Sequence, residues 1–364
     1  MDNVSKQIEQ IEEEIRKTPY HKGTQHHIGR LKARRAMLKD KIIETQTRKG
    51  SGGSGGFAIR KHGDATVVLA GFPSVGKSTL LNALTNAKSR AADYDFTTVT
   101  VIPGMMKYKG ASLQILDVPG LVESASRGRG RGREVLSVAR GADLLLIMAK
   151  RGSKSEFNRI NKELYLNGVR INSNPPGVAV KKTLKGGIKV TAPAMDKNLI
   201  SSVAKEMGLV NADITIKQNL DLDGLIDAFS KNRVYTKALY IATMMDSAGS
   251  ESVPPSRWVR YPTSESIFRI SAKTGFGLDE LKEAIWEKLE LVRVYLKKPD
   301  KTIDYQEPII MRQGDTLSDV LQKIGEKLAQ NKRLAKIWGP GSRFPGQEAS
   351  LHTKVKDQME VMFI

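Results

Sequence analysis

The chain has 364 residues, with 59 Lys+Arg against 39 Asp+Glu, a formal net charge of +20 and a pI near 9.9. At roughly 100–200 residues per domain this length allows about two to three domains, and a hydrophobic content of 40% excludes a wholly disordered chain. The absence of cysteine removes disulfides, thiolate zinc sites and cysteine nucleophiles, which fits a reducing, cytoplasmic setting.

No apolar run reaches the ~18 residues of a membrane span, and the amino-terminal MDNVSKQIEQIEEEIRK lacks the apolar stretch of a secretory signal, so no membrane partner is expected. Val4, Ile8, Ile11 and Ile15 recur at helical spacing and predict a first helix over residues 2–17. Pro19 breaks it. A second helix over about 26–47 keeps Ile28, Leu31, Leu38 and Ile42 on its inner side, giving a helical hairpin over 1–49. Residues 18–49 carry nine Lys/Arg against two acids, read either as a solvated face or as a surface for RNA or the ribosome. The adjacent His26 and His27 point apart on a helix and are read as structural.

A Gly/Ser connector, Gly50 to Gly56, and a lead-in to residue 65 follow. Apolar runs at 66–70, 113–116, 142–148, 238–242 and 267–270 alternate with helical segments, the pattern of a parallel sheet covered on both faces. This α/β domain spans 66–297 and closes on a helix expected over 278–294. A lysine-rich insertion interrupts it at about 169–233, with short helices expected near 196–207 and 222–229. Residues 298–364 form a small α+β module, with strands near Ile303, at 309–310 and at 359–364 and a helix over 317–328.

The chemistry concentrates on the strand-to-loop junctions. Gly71, Phe72, Pro73, Ser74, Val75, Gly76, Lys77 and Ser78 fit G-x-x-x-x-G-K-[ST] between a strand and a helix; such a loop wraps its N–H groups around phosphate oxygens, and the helix N-terminus from Lys77 to Thr79 adds its dipole. Lys77 is expected on the β- and γ-phosphates and Ser78 on Mg²⁺. Asp117, ending the next apolar run in Asp117-Val118-Pro119-Gly120, is placed to hold Mg²⁺, with the Gly120 N–H sensing the γ-phosphate. In the intervening loop Thr98, rather than Thr97, is expected to complete the magnesium shell. Asp246 in Thr243-Met244-Met245-Asp246 can accept the paired N–H donors of guanine, with Thr243 and Met244 beside it and Ser271-Ala272-Lys273 closing the pocket. Adenine lacks that donor pair, which leaves ATP as the alternative nucleotide. The pattern departs from N-K-x-D: Met244 stands where a lysine would brace the phosphate loop.

GFPSVGKS at 71–78, DFTTVTVIPG at 95–104 and DVPGLVESASRGRGRGREVLS at 117–137 together resemble the developmentally regulated GTP-binding proteins of the Obg-like GTPases. The resemblance implies a P-loop GTPase domain with an inserted small domain, preceded by the hairpin and followed by a TGS module, a β-grasp fold. It implies Mg²⁺-dependent hydrolysis of GTP to GDP and phosphate, a switch associated with the ribosome or structured RNA, and a regulatory protein cofactor. Leu121 stands where many small GTPases carry a water-orienting glutamine, so no catalytic base is identified and slow intrinsic turnover is expected. Ser74 occupies the place of an asparagine that holds K⁺ in some related GTPases, which leaves K⁺ dependence open. The alternating Arg/Gly run from Arg127 to Arg133 fits either phosphate binding or a solvated loop. The alternative function is a nucleotide-stabilised RNA-binding adaptor with little or no hydrolysis. Trp258, Trp286 and Trp338 are read as core or interface aromatics.

Overall fold

A computed structural model of the chain describes residues 2–21, 23–49, 61–85, 101–118, 132–245, 259–260, 266–298, 302–325 and 332–364. In chain order the elements begin with α1 (Asp2–Lys17), α2 (Gln25–Lys49), β1 (Ala65–Gly71), α3 (Lys77–Thr85), β2 (Ile102–Tyr108) and β3 (Ala111–Asp117). There follow α4 (Gly132–Gly141), β4 (Leu144–Lys150), α5 (Lys154–Leu166), β5 (Val169–Ile171), β6 (Val178–Lys182), β7 (Ile188–Thr191), α6 (Lys197–Glu206), β8 (Ala212–Ile216) and α7 (Leu222–Phe229). The last are β9 (Val234–Thr243), β10 (Val259–Arg260), β11 (Ser266–Arg269), α8 (Leu278–Leu289), β12 (Leu291–Leu296), β13 (Ile309–Arg312), α9 (Leu317–Ile324), β14 (Leu334–Trp338), β15 (Gln347–Ser350) and β16 (Met359–Phe363). The chain divides into two compact units, one of residues 1–58, 129–136 and 165–235 and the other of the remainder.

In the larger unit the principal sheet runs β10-β11-β9-β4-β1-β3-β2. β1 pairs parallel with β3 and β4, β4 with β9, and β9 with β11. β2 and β10 pair antiparallel, with β3 and β11 respectively, and β5 also pairs with β9. Every residue of β1 is buried, as expected for a strand covered on both faces. Its core joins Val67, Leu69, Leu113, Ile115, Leu144, Leu146 and Ile241 to Leu80 and Leu84 of α3 and Leu281 and Ile285 of α8. The registers Leu69↔Asp117, Gly71↔Met148 and Lys150↔Thr243 bring the carboxyl ends of β1, β3, β4 and β9 to one edge. In sheets of this kind ligands bind at that edge.

The helix expected to continue to residue 294 ends at Leu289. Glu290 takes a left-handed conformation (φ 56°, ψ 38°), and the β-branched, alternating LVRVYL that follows is β12. This strand opens a second sheet, β13-β12-β16-β14-β15, in which β12 and β16 run parallel at the centre and the other pairs are antiparallel. With α9 packed on one face through Leu317 and Val320, this is a β-grasp arrangement. A capping box between Thr316 and Asp319 starts α9. Near Ile303 there is an isolated bridge to Lys297 in place of a strand. Two anchors hold this sheet to the first: Arg312 reaches Asp143 at 2.7 Å and Lys323 reaches Asp64 at 2.9 Å. Leu291, Ile310 and Trp286 enter the principal core.

In the smaller unit, α1 and α2 form the hairpin, and α2 also lies against α6 and α7 through Ala33 and Ala36, which share a core with Leu199, Val203, Leu222 and Leu225. Behind α6 stands a three-stranded sheet, β6-β8-β7, that the sequence pattern did not announce. Its outer strands are lysine-bearing, and β7 is too short, at four residues, for its apolar alternation to stand out. Much of the positive charge of α2 is neutralised: Arg30 pairs with Glu206, Lys32 with Asp223, and Arg35 and Lys39 with Glu12. His26 meets Asp196 and His27 meets Glu14, so both histidines have structural partners. A buried network of Arg170 and Arg233 with Asp227 ties β5 and the segment before β9 to α7.

Candidate functional site

Between β1 and α3 the loop from Gly71 to Gly76 makes a tight turn that only its glycines permit. A Cβ on Gly71 would lie 2.8 Å from the Met148 carbonyl oxygen and 2.9 Å from a Val75 methyl, so the loop can leave the sheet here only without a side chain. Gly76 has φ 92° and nothing within 4 Å of its would-be Cβ, leaving the mouth of the loop open. Ser74 is also left-handed, at φ 55°. Val75 is buried beneath, while Pro73, Ser74, Ser78 and Thr79 are exposed and Phe72 and Lys77 half-buried. The Lys77 ammonium folds back over the loop and donates to the carbonyl oxygens of Gly71 (3.0 Å) and Phe72 (2.9 Å). An ammonium held across the opening, beside the N–H groups of a helix's first turn, suits a bound phosphate.

Asp117 ends β3 just below α3 and is 2% exposed. Its Oδ2 accepts a hydrogen bond from the Ser78 hydroxyl at 2.7 Å. Its Oδ1 is buried with no hydrogen-bond partner. An ionised oxygen left bare in the interior is costly unless a cation or donor joins it. The vacant valence, the adjacent hydroxyl and an all-oxygen donor set fit Mg²⁺ rather than a softer metal. Among the described residues no cluster of three His, Cys, Asp or Glu competes as a metal site.

On the base side the structure shows a further contact. Thr243, expected beside the base, is buried, and its hydroxyl donates to the Val75 carbonyl oxygen at 2.7 Å, with the Ala149 carbonyl 3.4 Å away. The brace that a lysine at 244 would have given the phosphate loop is thus present one residue earlier. Met244 follows in a left-handed conformation (φ 59°) and is exposed. The loops after β9 and β11 are stitched together by Met245 N–H donating to the Ile270 carbonyl. Ser271 is buried and its hydroxyl accepts from the Thr274 N–H at 3.3 Å, which fixes the turn carrying half-buried Ala272 and exposed Lys273. Thr97, Thr98, Gly120, Leu121, Asp246, Trp258, the Gly/Ser connector and Arg127 to Arg131 lie outside the described residues.

One contact escaped the sequence altogether. Arg159 of α5 lays its guanidinium 4.7 Å from the centre of the Phe72 ring, packing a cation onto the outer side of the phosphate loop. A single arginine in an amphipathic helix carries no signal of this kind.

Comparison with known proteins agrees with the geometry. A family model described as a 50S ribosome-binding GTPase matches residues 66–182, and a model for the C-terminal region of that domain matches residues 185–291. An uncharacterized GTP-binding protein of Halobacterium salinarum is 43% identical over 96% of this chain and 96% of its own length. The developmentally-regulated GTP-binding protein 2 homolog of Dictyostelium discoideum is 38% identical over 99% of both chains. Among solved structures, the YchF GTPase of Schizosaccharomyces pombe aligns over 84% of this chain and 99% of its own, at 11% identity and a TM-score of 0.44.

Proposed function

Since the chain belongs to the developmentally regulated GTP-binding protein family, we propose that it is a Mg²⁺-dependent GTPase whose nucleotide state is read by the ribosome or a structured RNA. The observation that carries the catalytic part is the bare, buried Oδ1 of Asp117 beside the Ser78 hydroxyl, at the foot of a loop shaped for phosphate.

In this reading the triphosphate enters the open mouth above Gly76, and Lys77 exchanges its bonds to the Gly71 and Phe72 carbonyls for the β- and γ-phosphate oxygens. Ser78 and Asp117 would hold Mg²⁺, which would supply neutralisation of the charge on the phosphates. Thr243 keeps the loop backbone in place through Val75, and the binding energy is not spent on reordering it. Met244 and the Ser271-Ala272-Lys273 turn flank the base, with Asp246 as the guanine-selecting carboxylate. Thr98 and Gly120 carry the γ-phosphate-sensing roles that the motif assigns them. The RNA-linked part is supported by the net charge of +20 and by the ribosome-binding description of the matching family model. A C-terminal β-grasp sheet, read as a TGS module, supplies a second surface for that partner.

Single-turnover phosphate release, measured with and without Mg²⁺ and with and without added ribosomes, tests the proposal. Mg²⁺-dependent release that Lys77→Ala abolishes is expected. No release under any of these conditions would replace the enzyme with a nucleotide-stabilised RNA-binding adaptor.

A further inference from the structure

The basic arm of the hairpin reads from sequence as either a solvated face or a surface for RNA, and four of its cations are tied to carboxylates of α1, α6 and α7. Further exposed positive charge in the same unit lies outside the hairpin. On the three-stranded sheet, Lys181 of β6 and Lys189 of β7 stand in register on either side of Asp213 of β8. Strands lie roughly 4.8 Å apart, so these two lysines flank the central carboxylate about 10 Å from each other on one face. Lys182 ends β6, and Lys185 sits in the loop to β7. All four lysines are exposed, and none has an acidic partner among the described residues. The opposite face is closed by α6, where Ile214, Val190 and Ile188 pack with Leu199, Ile200 and Val203. The lysine face has no such cover: Ala179, Lys181, Lys189, Thr191 and Asp213 are all exposed.

At the end of this sheet the loop presents Leu184 with 100% of its surface exposed. The loop is nevertheless held. Asn211 accepts from the Gly187 N–H at 2.9 Å, donates to the Leu184 carbonyl at 3.3 Å, and receives the Thr183 N–H on its own carbonyl at 3.1 Å. A leucine fixed outward between Lys182 and Lys185 gives an apolar tip framed by ammonium groups. Lysines at this spacing suit a chain of phosphates, and an apolar side chain among them suits the face of an unpaired base or ribose.

We propose that the lysine face of β6-β8-β7 and its Leu184 tip are the RNA-contacting surface of the smaller unit, the occupant being a structured RNA with an unpaired loop. The inference rests on the RNA-linked part of the function proposed above and names the surface that serves it. Lys181 and Lys189 on the face, with Lys185 and the strand-end Lys182 (in register with Ala212, so on the other face) at its Leu184 end, stand against one carboxylate and give the surface a marked salt dependence, while the Leu184 contact adds a part that salt does not screen.

The test is fluorescence anisotropy with a labelled RNA stem-loop and the full chain, from 50 to 300 mM KCl (about the range in which counterion release is measured). The quadruple variant Lys181→Ala, Lys182→Ala, Lys185→Ala, Lys189→Ala is expected to bind at least about tenfold more weakly and to lower the slope of log K against log[salt] by about 3. Leu184→Ser is expected to weaken binding by a similar factor at every salt concentration with the slope unchanged. Arg34→Ala with Lys41→Ala, on exposed positions of α2, is expected to leave binding intact. Guanine-nucleotide affinity and the thermal midpoint, unchanged in each variant, report an intact fold. Wild-type binding that the quadruple variant retains with the same slope overturns this surface while leaving the RNA reading in place. No wild-type binding at all removes the RNA reading itself. Displacement of the RNA by poly-L-glutamate at equal charge concentration overturns the choice of RNA in favour of an acidic protein partner.

Discussion

Replacing Thr243 by valine keeps the shape of a side chain that is 4% exposed and deletes a group that joins the end of β9 to the phosphate loop, the hydroxyl 2.7 Å from the Val75 carbonyl. Val75 is itself 1% exposed, so its carbonyl would be left without the donor and without ready access to water. A lost hydrogen bond that strands a buried partner costs about 1–3 kcal/mol. At the middle of that range, ~2 kcal/mol, nucleotide binding weakens by roughly 30-fold if the loop must be held in place for phosphate to bind. The assay is competitive titration of a fluorescent GDP analogue with GDP, GTP and ATP, alongside the thermal midpoint of the nucleotide-free protein. Weaker binding of all three nucleotides by the same factor is expected, with the preference for guanine unaltered and Thr243→Ser within about twofold of the wild type. A selective loss of guanine preference would mean that Thr243 touches the base. Unchanged affinity together with an unchanged midpoint would refute the bracing role outright.

Four further outcomes follow from the geometry. Asp117→Asn replaces a carboxyl oxygen beside Ser78 with an amide and is expected to abolish the Mg²⁺ dependence of GTP affinity, read by titration in Mg²⁺ against EDTA. Gly71→Ala sets a methyl 2.8 Å from the Met148 carbonyl and is expected to eliminate nucleotide binding while the C-terminal sheet still folds, checked by titration and by amide exchange. Arg159→Ala loses a cation–π contact worth about 0.5–1 kcal/mol at an exposed site, so affinity should fall only about two- to fivefold. For Asp143, burial alone would raise the carboxyl, but hydrogen bonds from Arg312, the Thr66 N–H and Lys61 hold it below the usual carboxylate range. A depressed value stabilises the fold fully above the unfolded value near 3.9 and loses that contribution as pH falls through the folded one. Asp143→Asn should therefore flatten the acid side of the midpoint-against-pH curve below about pH 4 and lower the midpoint at pH 7; parallel curves for both proteins would contradict this.

The central strands were readable because burial on both faces makes them continuous apolar runs: residues 66–70 and 142–148 fall in β1 and in or beside β4. The phosphate loop was readable for a different reason. Gly71, Gly76, Lys77 and Ser78 are chemically irreplaceable at their spacing, and the structure shows why at Gly71 and Gly76. The register Leu69↔Asp117 then delivers the carboxylate to Ser78, as the motif order implied. What escaped was set by long-range packing. β12 reads as a continuation of α8 because Leu291, Val292 and Val294 extend the helix's apolar spacing; the left-handed Glu290 and pairing with β13 and β16 decide otherwise. β6 and β7 were hidden by lysines on edge strands, where one face and one edge stay in water. For Thr243 the motif identified the position but not the contact with the phosphate loop, since its hydroxyl is directed by the Val75 carbonyl, which only the folded chain supplies. The pairing of Arg30 and Lys32 on α2 was hidden similarly, because Glu206 and Asp223 reach them from about 180 residues away in sequence.

The account stands or falls on whether the cradle around Lys77 takes a guanine nucleotide. Isothermal titration of the full chain in Mg²⁺ with GTP, GDP and ATP, repeated on Lys77→Ala, measures this directly. Saturable 1:1 binding of GTP and GDP, far weaker binding of ATP, and loss of all three in the variant are expected. Binding that is undiminished in Lys77→Ala, or no binding of guanine nucleotides by the wild type, would contradict it.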